Sequence, residues 1–502
     1  MNKKKHWHES RGTKPVKSTG EGQEFPGTGE GVPPSAVRNE NIRNLERLFS
    51  PKGVAVIGAS AQEGSVGRAL FENFLNSDFK NRVFAVNPFH ESVLGKKAFK
   101  NVKAIPQKVD LAVIAVPAKF VPSALRDCAQ KGVSNAIIIS AGFSEIGERE
   151  LTSELEKIIR ENPGTRVLGP NCFGIFDGKS RLNTTFSETK RTRLPKAGSV
   201  SFISQSGALG VAILDWMSTQ NFGLNKFVSY GNAMDLDESD LLEFLDHDKA
   251  TKVIAMYIEG AKHGRKFLEI AKKVCVKTPI VALKGGISEQ THKATASHTG
   301  SLAGSAEVYR ALFRQTGIIQ AENMLELFSF AKILAGEPLP KGDRALIITN
   351  GGGYGIVTAD SVIGNGLRLA RLGRKSAERL RKAFPERVTI ANPLDLVGDA
   401  GLERYSVAIE AALKDKNVDM VIVLVLFNTP AIDEGIVKEI AKWKKKAKKP
   451  LTVVSIGSEF TQGMMKLLEK EGVVTFNYPN VCARALKALA DFAEFRRESN
   501  GK

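Results

Sequence analysis

With 502 residues, of which 42% are hydrophobic and 25% charged, the chain is long enough for about three domains, and its composition is that of an ordinary soluble protein. The formal net charge of +18 does not by itself indicate nucleic-acid binding, because the lysines are spread along the chain and the one dense run, Lys442–Lys449, is expected to end a helix. No apolar run approaches the ~20 residues of a membrane span. No apolar segment follows the basic N-terminus, as one would in a secretory signal. The four scattered cysteines suit a reducing cytoplasm.

The predicted elements form a tail and three domains. Residues 1–41 are rich in Gly, Pro, Ser, Lys and Glu and are predicted to be a disordered basic tail. Short apolar strands then alternate with amphipathic helices over 42–178, over 190–336 and over 342–497. This alternation is typical of parallel sheets that are covered by helices on both faces. The sequence therefore predicts an α/β fold of three doubly wound parallel-sheet domains in series.

A glycine-containing loop follows the first strand, in "VAVIGASAQEGSVGRAL" (54–70). A strand, such a loop and a helix direct the helix N-terminus at a phosphate group. The loop lacks the G-x-G-x-x-G spacing, and "FAVNPFH" has no acidic residue where the second strand ends, so the pattern is not that of an NAD site. Asn87, His90, Lys96 and Lys97 follow and favour a different nucleotide, such as the 3′-phosphorylated coenzyme A. A loop needed for packing alone is the alternative.

Two further strand-to-helix loops occur, in "ISQSGALGVAI" and "ITNGGGYGIVTAD". Their backbone N–H groups, at Ser206–Ala208 and Gly352–Tyr354, would meet an anion at a helix N-terminus. Ser206 is not a hydrolase nucleophile, because the motif G-x-S-x-G would need glycine where Ser204 stands. Neither loop has the lysine of a P-loop. Either loop alone is equally well explained as a tight turn, but the pair suggests a shared anion.

The segment "KATASHTGSLAG" (293–304) surrounds His298 with small residues. Either this is an ordinary surface loop, or the segment moves and carries the histidine. Imidazole is a good nucleophile toward phosphorus near neutral pH, and a phosphohistidine would need the N–H donors of the helix ends. Glu259, at the end of a strand in the same domain, is the candidate carboxylate to fix its tautomer. None of the seven histidines has a partner at metal-ligand spacing, so we predict no metal site.

A series of motifs occurs in order along the chain: "VAVIGAS", "AVNP", "AVPA", "SAGFSE", "LGPNCFGI", "FISQSGALG", "YGNAMDLDESDLLEFL", "YIEG", "ASHTGSLAG", "TNGGGYG" and "NPLDLVG". Together they resemble the α subunit of the NDP-forming acyl-CoA synthetases (acetate–CoA ligase, ADP-forming), relatives of succinyl-CoA synthetase. The resemblance runs from about Leu48 to the C-terminus. It implies a Rossmann-like CoA-binding domain followed by two flavodoxin-like succinyl-CoA-ligase domains.

The resemblance also implies a mechanism and its residues. Phosphate attacks acyl-CoA to give an acyl phosphate and CoA, the histidine that matches His298 takes the phosphoryl group and frees the carboxylic acid, and the phosphohistidine passes the group to ADP. Glu259 matches the glutamate that orients this histidine. The phosphate-binding positions match Ser206, Gly207, Ala208, Gly351, Gly352 and Gly353, and the CoA-binding positions match Gly58, Ala59, Ser60, Asn87 and Pro117.

The partners follow from the same resemblance. In this family Mg-ADP or Mg-ATP binds an ATP-grasp domain, which would need about 200 further residues. The sequence after Val473 does not supply them, so a separate β subunit is implied, as α2β2 by analogy, with no metal on this chain. CoA, phosphate and a carboxylic acid are the expected small molecules, with no nucleic acid or membrane partner, and the acid stays open among acetate, branched-chain and aryl acids.

Two other functions compete with this one. A CoA-binding regulatory or scaffold protein without catalytic activity would share the fold, but the presence of both His298 and Glu259 argues against it. A protein acetyltransferase that uses the same domains for regulation would need an added transferase domain, for which no segment is left.

Overall fold

The computed structural model describes residues 44–79, 81–188, 192–220, 223–288, 291 and 306–501, and the predicted tail 1–41 lies outside them. Within these residues the strands form three sheets that follow one another along the chain. The predicted fold class, three mostly parallel α/β domains in series, is confirmed. Among the helices of these ranges, none combines the length and the apolar character that a membrane span requires.

The first sheet contains the strand that precedes the first glycine loop. Its strand order is β3-β4-β2-β1-β5-β6-β7, with parallel pairing except between β3 and β4. The strands after β1 first extend the sheet toward one edge, and from β5 onward they extend it toward the opposite edge. A crevice therefore lies beyond the carboxyl ends of β1 and β5. The elements are β1 (Gly53–Ile57), α1 (Val66–Leu75), β2 (Arg82–Val86), β3 (Ser92–Val93), β4 (Lys96–Phe99), β5 (Leu111–Ile114), α2 (Val121–Lys131), β6 (Asn135–Ile138), α3 (Arg149–Glu161) and β7 (Arg166–Leu168).

The second sheet carries the Ser206–Ala208 loop and Glu259 of the predicted site at the ends of its strands. Its strand order is β13-β12-β11-β9-β10-β8, and all its pairs are parallel except β10 with β8. The elements are β8 (Gly174–Asp177), β9 (Ala197–Ser204), α4 (Gly207–Thr219), β10 (Leu224–Ser229), α5 (Glu238–His247), β11 (Val253–Ile258), α6 (Gly264–Cys275), β12 (Ile280–Lys284), α7 (Ala306–Thr316), β13 (Ile319–Ala321) and α8 (Met324–Gly336).

The strand β8 lies at the end of the predicted first domain, 42–178, but does not pair with the first sheet. It is hydrogen-bonded antiparallel to β10 at the edge of the second sheet. The reason is packing, since Ile175 and Phe176 are both fully buried and belong to hydrophobic clusters on opposite faces of that sheet. The segment therefore completes the core of the second domain.

The third sheet has the strand order β15-β14-β17-β18-β19, with β16 paired to β14, and is parallel throughout. The continuous apolar run of β17 is fully buried, as expected of a central strand covered on both faces. The elements are β14 (Arg344–Thr349), α9 (Gly352–Gly364), β15 (Arg368–Leu369), α10 (Arg374–Ala383), β16 (Leu394–Asp395), α11 (Leu402–Lys414), β17 (Met420–Leu424), α12 (Gly435–Lys446), β18 (Leu451–Val454), α13 (Glu459–Lys470), β19 (Val474–Phe476) and α14 (Pro479–Asn500).

The second and third domains pack through helices, and two shielded lysine–glutamate pairs lie between them. Helix α8 of the second domain packs against α14 of the third. Lys332 on α8 pairs with Glu469 at 2.5 Å. Glu337, which ends α8, pairs with Lys444 at 2.5 Å. Burial raises the pKa of Glu337 to about 7, although the Lys444 ammonium opposes the shift.

Candidate functional site

The first glycine loop is shaped by close contacts between backbone atoms. Gly58 follows β1 with φ +95°, and a Cβ there would lie 2.4 Å from the carbonyl oxygen of Ala115. A Cβ on Gly67, in the first turn of α1, would lie 1.9 Å from the carbonyl oxygen of Gly58. Both positions therefore require glycine, because a side chain on Gly58 would collide with the backbone after β5 and one on Gly67 would push the helix away from the loop. Ser65 caps α1 by accepting a hydrogen bond from the backbone N–H of Arg68.

Asn87 ties the end of β2 to this loop. Its side-chain amide donates to the carbonyl oxygen of Ala59 at 2.9 Å, and its Oδ1 accepts from the backbone N–H of Phe89 at 2.9 Å. The loop, Asn87 and Pro117 surround a cleft of about 460 Å³, in the range of small-molecule sites. Of the five predicted CoA-binding residues, four line this cleft, while the methyl group of Ala59 is buried in the core beneath it.

The cleft also has lining residues that the sequence interpretation missed. Phe89 and Phe120 are exposed aromatic side chains at its wall, 88% and 52% accessible. Lys100 is the lysine that lines it, whereas Lys96 and Lys97 of the sequence interpretation do not belong to the described lining. Phe89 stands two residues after Asn87, and this position could have indicated that it lines the cleft. The sequence alone, however, does not distinguish an exposed phenylalanine from one in the core.

The second strand-to-helix loop places Ser206 at the N-cap of α4. Its Oγ accepts from the backbone N–H of Leu209 at 3.4 Å, so the side chain satisfies one of the helix's free donors. Gly207 and Ala208 begin the helix and line a second cavity, of about 650 Å³. Gly210 lets the helix lie on the core, since a Cβ there would be 2.5 Å from the ring of Phe227.

Gln205 connects this loop to the predicted glutamate. Its Oε1 accepts from the backbone N–H groups of Glu259 at 2.7 Å and Gly260 at 3.1 Å, and its Nε2 donates to the carbonyl oxygen of Gly260 at 3.2 Å. Glu259 immediately follows β11 and is 5% exposed, and the hydroxyl of Tyr257 donates to its Oε1 at 3.2 Å. The structure thus brings Ser206–Ala208 and Glu259 together.

A buried lysine lies beside this glutamate. Lys284 ends β12, pairs in register with Ile258 of β11, and is 3% exposed. Burial lowers the pKa of its ammonium group, an effect that the Glu259 carboxylate opposes. Its Nζ donates to the carbonyl oxygen of Gly285 and lies 4.8 Å from the centroid of the Tyr309 ring. A charged residue at the end of a buried strand is a signal that the sequence interpretation passed over.

His298 lies outside the described residues. The chain on either side of its segment is described: β12 ends at Lys284 and α7 begins at Ala306. Since β12 is the neighbour of β11, the segment starts from the sheet edge where Glu259 lies. The role of His298 stays a prediction.

The third loop forms the N-terminus of α9. Gly351 is its N-cap, and the backbone N–H of Gly351 donates to Thr349 Oγ1 at 3.0 Å. A Cβ on Gly352 would lie 2.6 Å from Oδ2 of Asp395, so a carboxylate of the chain itself lies beside this helix end, while Gly353 has open space around it. That this loop and the Ser206–Ala208 loop share one anion stays a prediction.

The described residues contain no group of three or more His, Cys, Asp or Glu side chains arranged to hold a metal ion. The four cysteines are buried and are not joined in disulfides. Burial raises the pKa of the Cys172 and Cys482 thiols to about 12, which makes them poor nucleophiles.

Three family models match the chain in sequence order: a CoA binding domain over residues 52–177, a succinyl-CoA ligase like flavodoxin domain over 197–334, and a ligase-CoA domain over 345–492. A relative from Pyrococcus furiosus, acetate–CoA ligase [ADP-forming] II subunit alpha, is 42% identical over 457 residues, which cover 90% of this chain and 98% of the relative. Acetate–CoA ligase [ADP-forming] I from Archaeoglobus fulgidus is 39% identical, over 91% of this chain and 65% of the relative.

A solved structure is similar over the same range. The dinucleotide-forming acetyl-coenzyme A synthetase 1 of Candidatus Korarchaeum cryptofilum, in complex with phosphate and ADP, superposes with a TM-score of 0.84 at 37% sequence identity. The superposition covers 91% of this chain and 98% of that one.

Proposed function

Since the chain belongs to the family of ADP-forming acetate–CoA ligases, as a relative of their α subunits, we propose that it catalyses acyl-CoA + phosphate + ADP ⇌ carboxylic acid + CoA + ATP through an acyl phosphate and a phosphohistidine at His298. The ligase class follows from the family. The intermediates, the site residues and the division of the work between two subunits are the proposal.

The observation that carries the proposal is the link made by Gln205. This one side chain holds the backbone of Glu259 beside the N-terminus of α4, the helix that begins with Gly207. A helix N-terminus supplies N–H donors and about half a positive charge to an anion. A carboxylate next to it supplies an acceptor for an imidazole N–H. These are the two groups that a histidine needs when it accepts a phosphoryl group.

The proposed steps balance in atoms and charge. An oxygen of phosphate attacks the thioester carbon, and the C–S bond breaks with the proton going to the departing thiolate of CoA. One ring nitrogen of His298 then attacks phosphorus, the bond from phosphorus to the acyl oxygen breaks, and the carboxylate leaves. Glu259 accepts the N–H of the other ring nitrogen and stabilises the positive imidazole that forms. Attack by the terminal phosphate of ADP on the phosphohistidine regenerates the imidazole.

We assign the nucleotide to a separate β subunit. The chain matches 98% of a relative that is named an α subunit but 65% of a relative that is named as a whole ligase. We propose an α2β2 assembly of this chain with an ATP-grasp subunit that binds Mg-ADP or Mg-ATP. Light scattering on the co-purified complex tests the stoichiometry, and a mass other than that of two copies of each subunit refutes it.

The experiment that tests the mechanism is phosphorylation of the purified chain. Acetyl-CoA or a larger acyl-CoA is supplied with labelled phosphate, and the wild type is compared with His298→Asn and with His292→Asn, a histidine just before the same segment. We expect acid-labile, base-stable label in the wild type and in His292→Asn, and none in His298→Asn. Label that persists in His298→Asn overturns the phosphohistidine. No label with any acyl-CoA, in the presence of the β subunit, leaves the CoA-binding scaffold as the function.

A further inference from the structure

We infer that Tyr257 is a positioning residue for the proposed phosphoryl transfer, because its hydroxyl group fixes the direction of the Glu259 carboxylate. The inference rests on the proposed function, in which Glu259 accepts the N–H of the His298 imidazole. A glutamate side chain rotates about several bonds, and each of them has more than one staggered position. A fixed backbone is therefore not enough to direct its carboxylate.

Glu259 is anchored at both ends of its side chain. The Gln205 side chain accepts from the backbone N–H of Glu259 at 2.7 Å, which fixes where the side chain begins. The hydroxyl of Tyr257 donates to Glu259 Oε1 at 3.2 Å, which fixes where it ends. A carboxylate is planar, so holding one oxygen restricts the directions in which the other oxygen can point. Of these two anchors, the hydroxyl of Tyr257 is the one that acts on the carboxylate itself.

Tyr257 lies on a strand that is paired on both sides. It stands on β11, opposite Ser204 of β9 and Leu283 of β12. Its carbonyl oxygen accepts from the backbone N–H of Gln205 at 3.1 Å. Gln205 is thus bonded both to the backbone of Tyr257 and to that of Glu259. A group that is carried by a paired strand is placed more precisely than one on a loop.

The backbone at the end of β12 closes around the Tyr257 hydroxyl. A Cβ on Gly285 would lie 2.3 Å from the hydroxyl oxygen and 2.9 Å from Cζ of the same ring. The backbone N–H of Gly285 donates to the carbonyl oxygen of Ile258 at 2.9 Å, which holds this backbone against the ring. The hydroxyl can therefore reach Glu259 from this place because position 285 has no side chain.

The electrostatics of the cluster suit a hydrogen bond in this direction. Burial and the neighbouring Glu259 carboxylate raise the pKa of Tyr257 well above its usual range, so the hydroxyl keeps the proton that it donates. Hydrogen bonds to a carboxylate are stronger than those between neutral groups. Burial lowers the pKa of Lys284 and the Glu259 carboxylate opposes this change, so a positive charge lies near the carboxylate as well.

Tyr257→Phe removes the hydroxyl and keeps the ring. Ser406→Ala is the matched control, because the Ser406 hydroxyl also donates to a carboxylate oxygen, Oε1 of Glu439, at 2.6 Å. That pair joins helices α11 and α12 of the third domain. Each substitution therefore removes one hydroxyl group and its hydrogen bond to a glutamate, and only the first does so at Glu259.

The test measures how fast His298 of the purified chain is labelled by acetyl phosphate that carries a labelled phosphoryl group, which bypasses the attack of phosphate on the thioester. Tyr257→Phe is expected to lower the maximal labelling rate by about 10- to 100-fold. The acetyl phosphate concentration that gives half of this rate is expected to stay within about threefold of the wild-type value.

A second measurement follows the step in which Glu259 has no proposed part. A thiol reagent detects the CoA that is released from acetyl-CoA in the presence of phosphate. The rate of this release is expected to stay within about threefold of wild type in Tyr257→Phe. Ser406→Ala is expected to leave the labelling rate, the half-saturating concentration and the CoA release within the same limits.

The outcomes separate this inference from the proposed function. If the wild type is labelled at His298 and Tyr257→Phe is labelled within about threefold of the same rate, the inference is overturned and the phosphohistidine stands. An equal fall in labelling and in CoA release, or an equal fall in Ser406→Ala, indicates a structural role and also overturns the inference. Absence of label in the wild type overturns the proposed function, and the inference with it.

Discussion

Replacing Gln205 by leucine tests whether this side chain positions the proposed catalytic glutamate. Leucine fills a similar space but removes one acceptor and one donor, so two backbone N–H groups and one carbonyl oxygen lose their partners. At about 1 kcal/mol for each lost hydrogen bond, the free energy of unfolding should fall by about 3 kcal/mol. A shift of Glu259 by about 1 Å should lower the rate of His298 labelling by about 100-fold.

Asn392→Leu is the matched control for this experiment. The Asn392 side chain also makes three hydrogen bonds to backbone groups, with Ile347, Ala345 and Ala370 in the third domain. We expect a similar loss of stability, measured by urea unfolding and tryptophan fluorescence, with little loss of labelling. If Gln205→Leu unfolds more easily but its labelling rate stays within about threefold of wild type, Gln205 has a structural role only and the positioning argument is refuted.

Two further predictions concern the CoA cleft and the interface of the last two domains. Gly67→Ala should weaken CoA binding by about tenfold or more, measured by calorimetry, because its Cβ would collide with the Gly58 carbonyl. Gly264→Ala is the control, because a Cβ there meets open space, and it should leave CoA binding unchanged. Equal CoA affinities of the two variants would contradict the proposed cleft. Glu337 has its pKa raised to about 7 in the folded state, so folding takes up a proton between pH 4.5 and 7. The stabilisation by Glu337 is complete below pH 4.5 and is lost as pH rises through 7, so the free energy of unfolding should fall by about 3 kcal/mol relative to that of Glu337→Gln. Parallel plots of unfolding free energy against pH for the two proteins would disprove this.

The sequence was enough to predict the elements that carry the site. Residues at the carboxyl ends of neighbouring parallel strands meet at one edge of the sheet, so Ser206 and Glu259 could be placed together from the strand pattern. The role of Gln205 could not be predicted in this way. A glutamine between two serines has the pattern of an ordinary loop residue, and its three hydrogen bonds depend on a strand more than 50 residues away.

The residues around the CoA cleft show the same limit. The positions of the Gly58 loop and of Asn87 can be predicted, because the sequence shows a strand, a turn and a helix in succession. Phe89 and Phe120 do not, because composition favours burial of phenylalanine and nothing local marks these two as exposed. The partner of β8 was also missed, since strand direction and register are decided by the sheet that the segment joins and not by its own four residues.

The antiparallel strand β8 has a mechanical consequence. A chain segment that emerges directly from the first domain is built into the sheet of the second, so the chain between the two sheets can bend only in the five residues between β7 and β8. A connection this short limits how far the two domains can separate.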